Sequence, residues 1–579
     1  MKSIKYIAIT LSTAALALTS CSDSFLDHQP DERTQIDNED KVVQLLRSSY
    51  PDCNPSWMGE INSDNIIDNQ TPHMPSNPNT TQVLSHYNYS QFSLWDNQLF
   101  RFEPSTQATY SDYDSPGFLW GSYYSSVAQT NAALDAIKEI SAKSGMTEKL
   151  KAARGEAELI RAYDHFMLVN FFSPAFVDST KSKNDVGVPY VTEVEHVVNK
   201  QYDRSNVADT YKKIEADLEA GLADISDLNF NTAPKYHFNV DAAHAFAARF
   251  YLFSHQWEKV IEHADAVLGT DSTSIKSKTM NYGIFGDCST SDDYATQWQN
   301  PSLGNNLMLI TTNTVLSRRI FGYRYSIAGE GARGALMIHT NNPLWRGYIC
   351  PTQLVVSGQL FANSSHDYGF YNCKIGETFE YHDRIAGTGY PHVVYRAFTG
   401  NELLLERAEA KIMLGRYREA ADDLEAYWNL GLSTYTASDR TSYIATGYAR
   451  QMTDDVFTSY YNNPENDNCY ANWDFAKAEG LDIPQAAVPY MNCLNEFRRM
   501  ENAFEGMRFF DIKRWGLTVT HSVGVDSEEF TLKARDSRLN IEIPWESLSA
   551  GMESSRTTTS PATVDASQNV SDYVVKSNK

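Results

Sequence analysis

An all-α fold is predicted for this 579-residue chain: a scaffold of tetratricopeptide-like helix pairs interrupted by long irregular loop insertions. Three observations predict it. The first is an internal repeat, in which Ala245 to Leu268 matches Leu405 to Trp428 at an offset of 160 residues. Ala245, Ala248 and Leu252 precede a turn at Trp257 and then Val260, Ile261 and Ala264. Leu405, Ala408 and Ile412 precede Gly415 and Tyr417 and then Ala420, Ala421 and Leu424. Small residues at this 3,4 spacing let two helices approach closely, and an aromatic after the turn wedges between them. The second is further copies of the same unit: a helix from Leu150 to Phe172 with a partner from Val207 to Ile225, separated by Ser173 to Asn206, and a helix from Asn495 to about Trp515. The third is what lies between the copies. Asp271 to Gln359 and Ser433 to Gln485 lack helical periodicity and are dense in Tyr, Trp, Asn and Gly. Loops longer than about 15 residues are uncommon unless they serve function or are disordered, and these are too aromatic for disorder.

From the amino terminus, Met1 to Ser20 reads as a lipoprotein signal peptide. Lys2 and Lys5 give the positive start, and Ile7 to Leu18 is an apolar run too short for a bilayer-spanning helix of about 20 residues. It ends in Leu18-Thr19-Ser20-Cys21, so Cys21 is the expected lipid attachment residue after cleavage. Residues 21–41 read as a lipidated tether, polar and acidic with Pro30 inside. Residues 42–579 read as one domain, roughly 42–230 and 231–579 forming its two parts. Of the seven cysteines, the six after Cys21 show no C-x-x-C spacing, and no pairing is assigned.

At 42% hydrophobic and 21% charged, the chain has an ordinary globular composition. A formal charge of −24 argues against a nucleic-acid partner, which needs a basic stripe, and against adsorption to anionic lipid. No H-E-x-x-H, G-x-S-x-G or P-loop pattern is present, so no enzyme chemistry, metal or cofactor is expected. His244 and His263 sit on repeat helices and read as packing residues.

Several stretches carry a family resemblance. Cys21-Ser22-Asp23-Ser24-Phe25-Leu26-Asp27 is a cysteine followed closely by Phe-Leu-Asp. Trp120-Gly-Ser-Tyr123-Tyr124 leads to Asn131-Ala-Ala-Leu134-Asp135. Glu156-Ala-Glu158-Leu-Ile-Arg161-Ala162-Tyr163 is followed by Phe171-Phe172 and Val188-Pro189-Tyr190. Glu402-Leu-Leu-Leu-Glu-Arg407-Ala408-Glu409-Ala410 is a late repeat helix. Phe504-Glu505-Gly506-Met-Arg508-Phe509-Phe510-Asp511-Ile-Lys513-Arg514-Trp515-Gly516 is a carboxy-terminal signature, and Ile543-Pro544 follows it. In this order and over nearly the whole length, they resemble the SusD/RagB-type outer-membrane lipoproteins. Ser173 and Met507 depart from that family's usual residues. The resemblance implies four repeat-like helix pairs with irregular additions that carry the ligand site. It implies capture of a glycan and delivery to a TonB-dependent, SusC-like barrel at the outer membrane, with the chain facing the cell exterior. Some members serve peptides, so a peptide-binding scaffold is the alternative, and an anchored glycoside hydrolase the third reading.

Within the signature, Glu505 and Arg508, and Asp511 and Arg514, lie three apart and are expected to pair on one helix face, a structural rather than catalytic arrangement. Trp120, Trp257 and Trp428 fall on periodic faces and are expected in the core. A sugar ring needs a flat aromatic platform beside side chains that donate and accept hydrogen bonds. The candidate ligand-binding residues chosen on that basis are Trp95, Asp96 and Asn97; Tyr294 and Trp298; Tyr323 and Tyr325; and Trp345 with Arg346.

Overall fold

The computed structural model describes residues 36–71, 92–105, 108–197, 200–320, 324–327, 373–431, 452–463, 471, 473, 481–524 and 526–556. The principal helices are α1 (Glu39–Arg47), α2 (Ser56–Ile61), α3 (Leu94–Phe100), α4 (Pro116–Ser144), α5 (Glu148–Phe172), α6 (Val207–Asp224), α7 (Val240–Phe253), α8 (Trp257–Leu268), α9 (Ser291–Trp298), α10 (Gly400–Met413), α11 (Tyr417–Gly431), α12 (Val488–Glu501) and α13 (Met507–Trp515). Their starts follow from capping chemistry. Asn38, Ser115, Thr147, Asn206, Asn239 and Thr399 each accept a hydrogen bond from a backbone N–H of the first turn, satisfying a donor that has no partner within the helix.

The 160-residue repeat is exact at the level of elements. Helix α7 begins at 240 and α10 at 400, α8 at 257 and α11 at 417, and 400 − 240 equals 417 − 257. The two pairs stack, and Arg407 fastens them. Its guanidinium donates to Asp423 of α11 at 2.7 and 3.0 Å, to Asp265 of α8 at 2.7 Å and to the carbonyl of Gly269 at 2.7 Å. The α5–α6 pair approaches closely because Gly155 and Gly221 lack side chains; a Cβ on Gly155 would lie 2.6 Å from the Ile225 nitrogen. Arg161 of α5 closes the same pair with a bidentate bond to Asp217, both distances 2.7 Å. Between the pairs, Tyr163, Phe166, Phe238, Phe246 and Phe398 pack mostly edge-to-face at 5.7–6.0 Å and are fully buried. Each buried ring of this size contributes about 2 kcal/mol by removal from water.

Two expectations are corrected. The predicted helix from Asn495 to Trp515 is two helices, α12 and α13. Phe504 and Gly506 take positive φ (68° and 80°), a conformation that no continuing right-handed helix contains. The segment from Asp271 is not wholly irregular: it holds short helices and strand β2 (Asn306–Asn313). With β1 (Ile67–Asp68), β3 (Tyr325–Ser326), β4 (Thr378–Asp383), β5 (Thr388–Thr399), β6 (Val519–Val523) and β7 (Glu528–Leu532), it makes three small antiparallel sheets, ordered β1-β3, β2-β5-β4 and β6-β7. Trp120 and Trp428 are buried as expected, and Trp257 is partly buried against the core. Among the described residues no helix is long and apolar enough to cross a membrane. Cys53 and Cys288 are free thiols.

His165, at the heart of α5, gives the fold a pH dependence. One ring nitrogen lies 2.8 Å from the Arg161 carbonyl, and the other accepts the Val191 N–H at 3.1 Å. That pair of partners requires a neutral ring, and burial lowers its pKa from 6.5 to about 4. The native state therefore binds fewer protons than the unfolded chain between these values, so stability is full above about pH 6.5 and falls as the pH drops toward 4. The loss from this residue is expected to be on the order of 3 kcal/mol. Urea unfolding at a series of pH values checks it; His165→Gln is expected to flatten the profile, and an unaltered profile refutes the assignment.

Candidate functional site

The structure unites two of the four predicted aromatic clusters, but as a buried joint. Trp95, Asp96 and Asn97 lie on α3, whose first turn is closed by a reciprocal bond pair between Ser93 and Asp96. Asp96 accepts from the Trp57 indole N–H at 2.9 Å and from Arg319 at 3.0 Å. Burial is the largest influence on this carboxyl and raises its pKa to about 6 despite the guanidinium. Arg319 also lies over the Trp95 ring at 4.3 Å and donates to Asp114 at 3.1 Å. Asn97 accepts from the Tyr325 hydroxyl at 2.5 Å, and the neighbouring Arg324 grips Asp68 with both arms of its fork. Trp95 is 4% exposed and Tyr325 is 2% exposed. Neither ring offers a face to a ligand in this arrangement, and Asp96 is spent on Trp57 and Arg319. In this arrangement these residues serve packing.

Trp298 is enclosed likewise. It lies at the carboxy-terminal end of α9, is 1% exposed, and is covered by the Arg396 guanidinium at 3.6 Å from its ring centre. It belongs to a small separate core with Met280, Tyr282 and Phe285. Tyr294, one turn earlier, is half-buried and stacks parallel on Phe285 at 5.6 Å. Of the earlier candidates it alone keeps part of its ring at the surface among the described residues. Tyr323, Trp345 and Arg346 lie outside the described residues, as does Cys21.

The signature segment is structural. Asp511 and Arg514 pair as the spacing predicts, at 2.7 Å. Glu505 does not meet Arg508. It precedes α13, accepts from Arg396 at 2.7 Å and from Lys374 at 3.2 Å, while Arg508 grips Asp64 at 2.8 Å. Apart from the half-buried Asp64, all are buried.

Exposed aromatics occur instead on the hairpin formed by β4 and β5. Phe379 is 39%, Tyr381 54% and Tyr390 39% exposed, and every residue of β4 faces solvent. Strand alternation and register sort them. Phe379 and Tyr381 share one face opposite Pro391 and Gly389, and their rings meet edge-to-face at 5.0 Å. Tyr390 stands on the other face, opposite Glu380. The Asp383 carboxylate accepts from the backbone N–H groups of Ile385 and Ala386 at 2.8 and 3.0 Å, which closes the turn and lowers its pKa. Gly389 makes room for the platform: a Cβ there would come within 2.9 Å of the Phe379 ring and 2.0 Å of the Glu380 carbonyl. Glu380 and His382 alternate onto the Tyr390 face, where a flat ring and hydrogen-bonding side chains stand together, the requirement for holding a sugar; the Phe379 and Tyr381 pair forms an apolar surface on the opposite face. Sequence reading missed this hairpin, although Phe379-Glu380-Tyr381 alternates with period two before a Gly387 turn.

Residues 24–252 match the SusD-like family model described as starch-binding, associating with outer membrane. A "SusD-like protein" of Bacteroides ovatus is 27% identical over 180 residues, 30% of this chain and only 29% of that protein. By fold, a SusD superfamily protein from Bacteroides thetaiotaomicron aligns with a TM-score of 0.56 at 15% identity, over 89% of this chain and 98% of the other. A second from Bacteroides vulgatus gives 0.55 at 17% identity, covering 90% and 98%. A third from Bacteroides fragilis gives 0.53 at 15% identity, covering 90% and 99%. By sequence over residues 24–252 the chain is similar to the SusD-like family, and over most of its length its fold resembles that of SusD superfamily structures.

Proposed function

We propose that this protein captures a glycan at the outer face of the outer membrane and delivers it to a TonB-dependent barrel, without itself cleaving it. The observation that carries the reading is the match to a starch-binding, outer-membrane family model, joined to exposed rings on a stiff hairpin. The hairpin's base is anchored: β5 runs on into the buried strand pair with β2, so the platform is held by the scaffold. Lipid attachment at Cys21 supplies the membrane tether that an acidic chain does not gain from electrostatics. Tyr294 and, beyond the described residues, Tyr323, Trp345 and Arg346 are the remaining aromatic and cationic candidates for the same ligand.

An open site with two or three rings is expected to bind oligosaccharides with Kd on the order of 10 µM to 1 mM. Titration calorimetry against plant, host and microbial polysaccharides tests it. Tyr381→Ala is expected to weaken the best ligand about tenfold, the equivalent of about 1.4 kcal/mol. Gly389→Ala, which drives a methyl group into the Glu380 carbonyl and the Phe379 ring, is expected to do likewise by displacing β4 from β5. Silence across the panel, or binding of peptide pools unaffected by Tyr381→Ala, would overturn the glycan reading. Metabolic labelling with palmitate, absent in Cys21→Ala, tests the anchor, and new reducing ends after incubation with polysaccharide would refute the non-enzymatic role.

A further inference from the structure

Away from the hairpin, a cavity of about 540 Å³ opens between α1, the first turn of α5 and the residues following α6. This lies within the usual volume of small-molecule sites. Its wall is unusually rich in side chains with unused hydrogen-bonding capacity. Gln44 and Arg47 lie three apart on α1 and so share a face, both exposed, while Val42, Val43 and Leu46 turn into the core. Across the cavity stand Leu228, Asn229 and Asn231.

The nearby carboxylates are already committed. Asp40 and Lys149 line the cavity themselves and are paired with each other, Glu39 accepts from the Thr147 hydroxyl at 2.6 Å, and Asp37 pairs with Lys41 at 2.8 Å. Arg47 has no hydrogen-bond or ion-pair partner among the described residues. It is a guanidinium in the lining of a cavity whose one lining carboxylate among the described residues, Asp40, is paired with Lys149. The amides around it are similarly free. Asn229 donates to the Lys149 carbonyl at 3.1 Å, which leaves its side-chain oxygen open, and Gln44 and Asn231 have no bond among the described residues. Leu228, 55% exposed, supplies an apolar surface at the rim.

From this arrangement we infer a second saccharide subsite, one that takes a sugar residue bearing an acid group, a carboxylate or a sulfate ester. The acid group docks on the Arg47 fork, whose planar donors match either oxyanion. Ring hydroxyls meet the amides of Gln44, Asn229 and Asn231, and the C–H face of the ring lies on Leu228. The surrounding negative charge disfavours a polyanion, so the ligand is an oligosaccharide with an isolated acidic residue. The inference rests on the glycan-binding reading above and sharpens it to a substrate class.

Calorimetry on the full mature chain with three trisaccharides of one backbone tests it: one ending in glucose, one in glucuronic acid and one in glucose 6-sulfate. The acidic ligand of the matching kind is expected to bind at least tenfold more tightly than the neutral one, and the stronger of the two acidic arms identifies the group. Arg47→Ala is expected to reduce that affinity to the neutral value, and Arg47→Lys, which keeps charge but loses the fork, to leave it in between. Equal affinity for all three, or an acidic preference untouched by Arg47→Ala, overturns the subsite and leaves the glycan reading standing. Failure of all three ligands and of every other glycan overturns both.

Discussion

Asp511→Ala is expected to cost about 3–5 kcal/mol of folding stability, the effect of breaking a buried ion pair from one side. Asp511 accepts two bonds from Arg498, at 2.9 and 3.0 Å, and two from Arg514, at 2.9 and 2.7 Å, in a site closed to water. Burial pushes this carboxyl's pKa up, but the guanidiniums of Arg498 and Arg514 outweigh it and hold the pKa below the ordinary carboxylate range. Removing the carboxylate strands Arg498, whose next acid, Glu402, lies 4.0 Å away, and leaves Arg514 with Glu409 alone. Since Glu409 also accepts from the Trp515 indole at 2.9 Å, the damage spreads to the packing of α13 on α10. Urea unfolding at pH 7 measures the loss. Asp422→Ala, which removes an exposed partner of Arg418, serves as the comparison and is expected to stay within about 0.5 kcal/mol. Equal effects for the two would refute the buried-network account. The folded pKa of Asp511 is depressed, so this stability is present above the unfolded carboxylate pKa and is lost as the pH falls through the folded value.

Gly59→Ala is expected to cost about 3 kcal/mol, because α2 meets the chain ahead of α13 backbone against backbone. A Cβ at Gly59 would lie 2.0 Å from the Gly506 carbonyl oxygen, an atom no rotamer can move aside. Gly506 is fixed in turn: its φ is +80°, and its N–H donates to the buried Glu60 carboxylate at 3.0 Å. The overlap must shift either α2 or the loop that separates α12 from α13. Gly506→Ala is expected to be destabilising too, through its left-handed backbone and a contact of 2.8 Å with Ser56. The two losses should not add, since the first shift relieves the second. Thermal unfolding of both variants and their double checks this; a Gly59→Ala protein as stable as the parent would show that the contact is not closed in solution.

The repeat was legible because its determinants are local. Ala245, Ala248 and Leu252, with their counterparts 160 residues later, state a helix face and its closeness to a neighbour within four residues of sequence. The capping residues state the starts. The split between α12 and α13 was not legible in the same way. Apolar residues continue through Ala503, Phe504 and Met507 with no proline, and the break depends on Gly506 meeting Gly59, some 450 positions away.

The aromatic candidates show the same limit. Trp95, Trp298 and Tyr325 sit in polar stretches, which suggested exposure, yet Arg319, Arg396 and Asn97 come from elsewhere in the chain to cover or bind them. A tryptophan beside acids and amides has the same local sequence whether an arginine folds over it or a sugar does.

From the residues alone came the helix-pair architecture, the expectation of a signal segment ending at Cys21 and the family resemblance, all carried by spacing and order along the chain. Which rings face outward was settled by packing between distant segments. Burial is a property of what arrives on the other side of a side chain, and among the described residues no neighbour covers Phe379 and Tyr381 as Arg319 covers Trp95 and Arg396 covers Trp298.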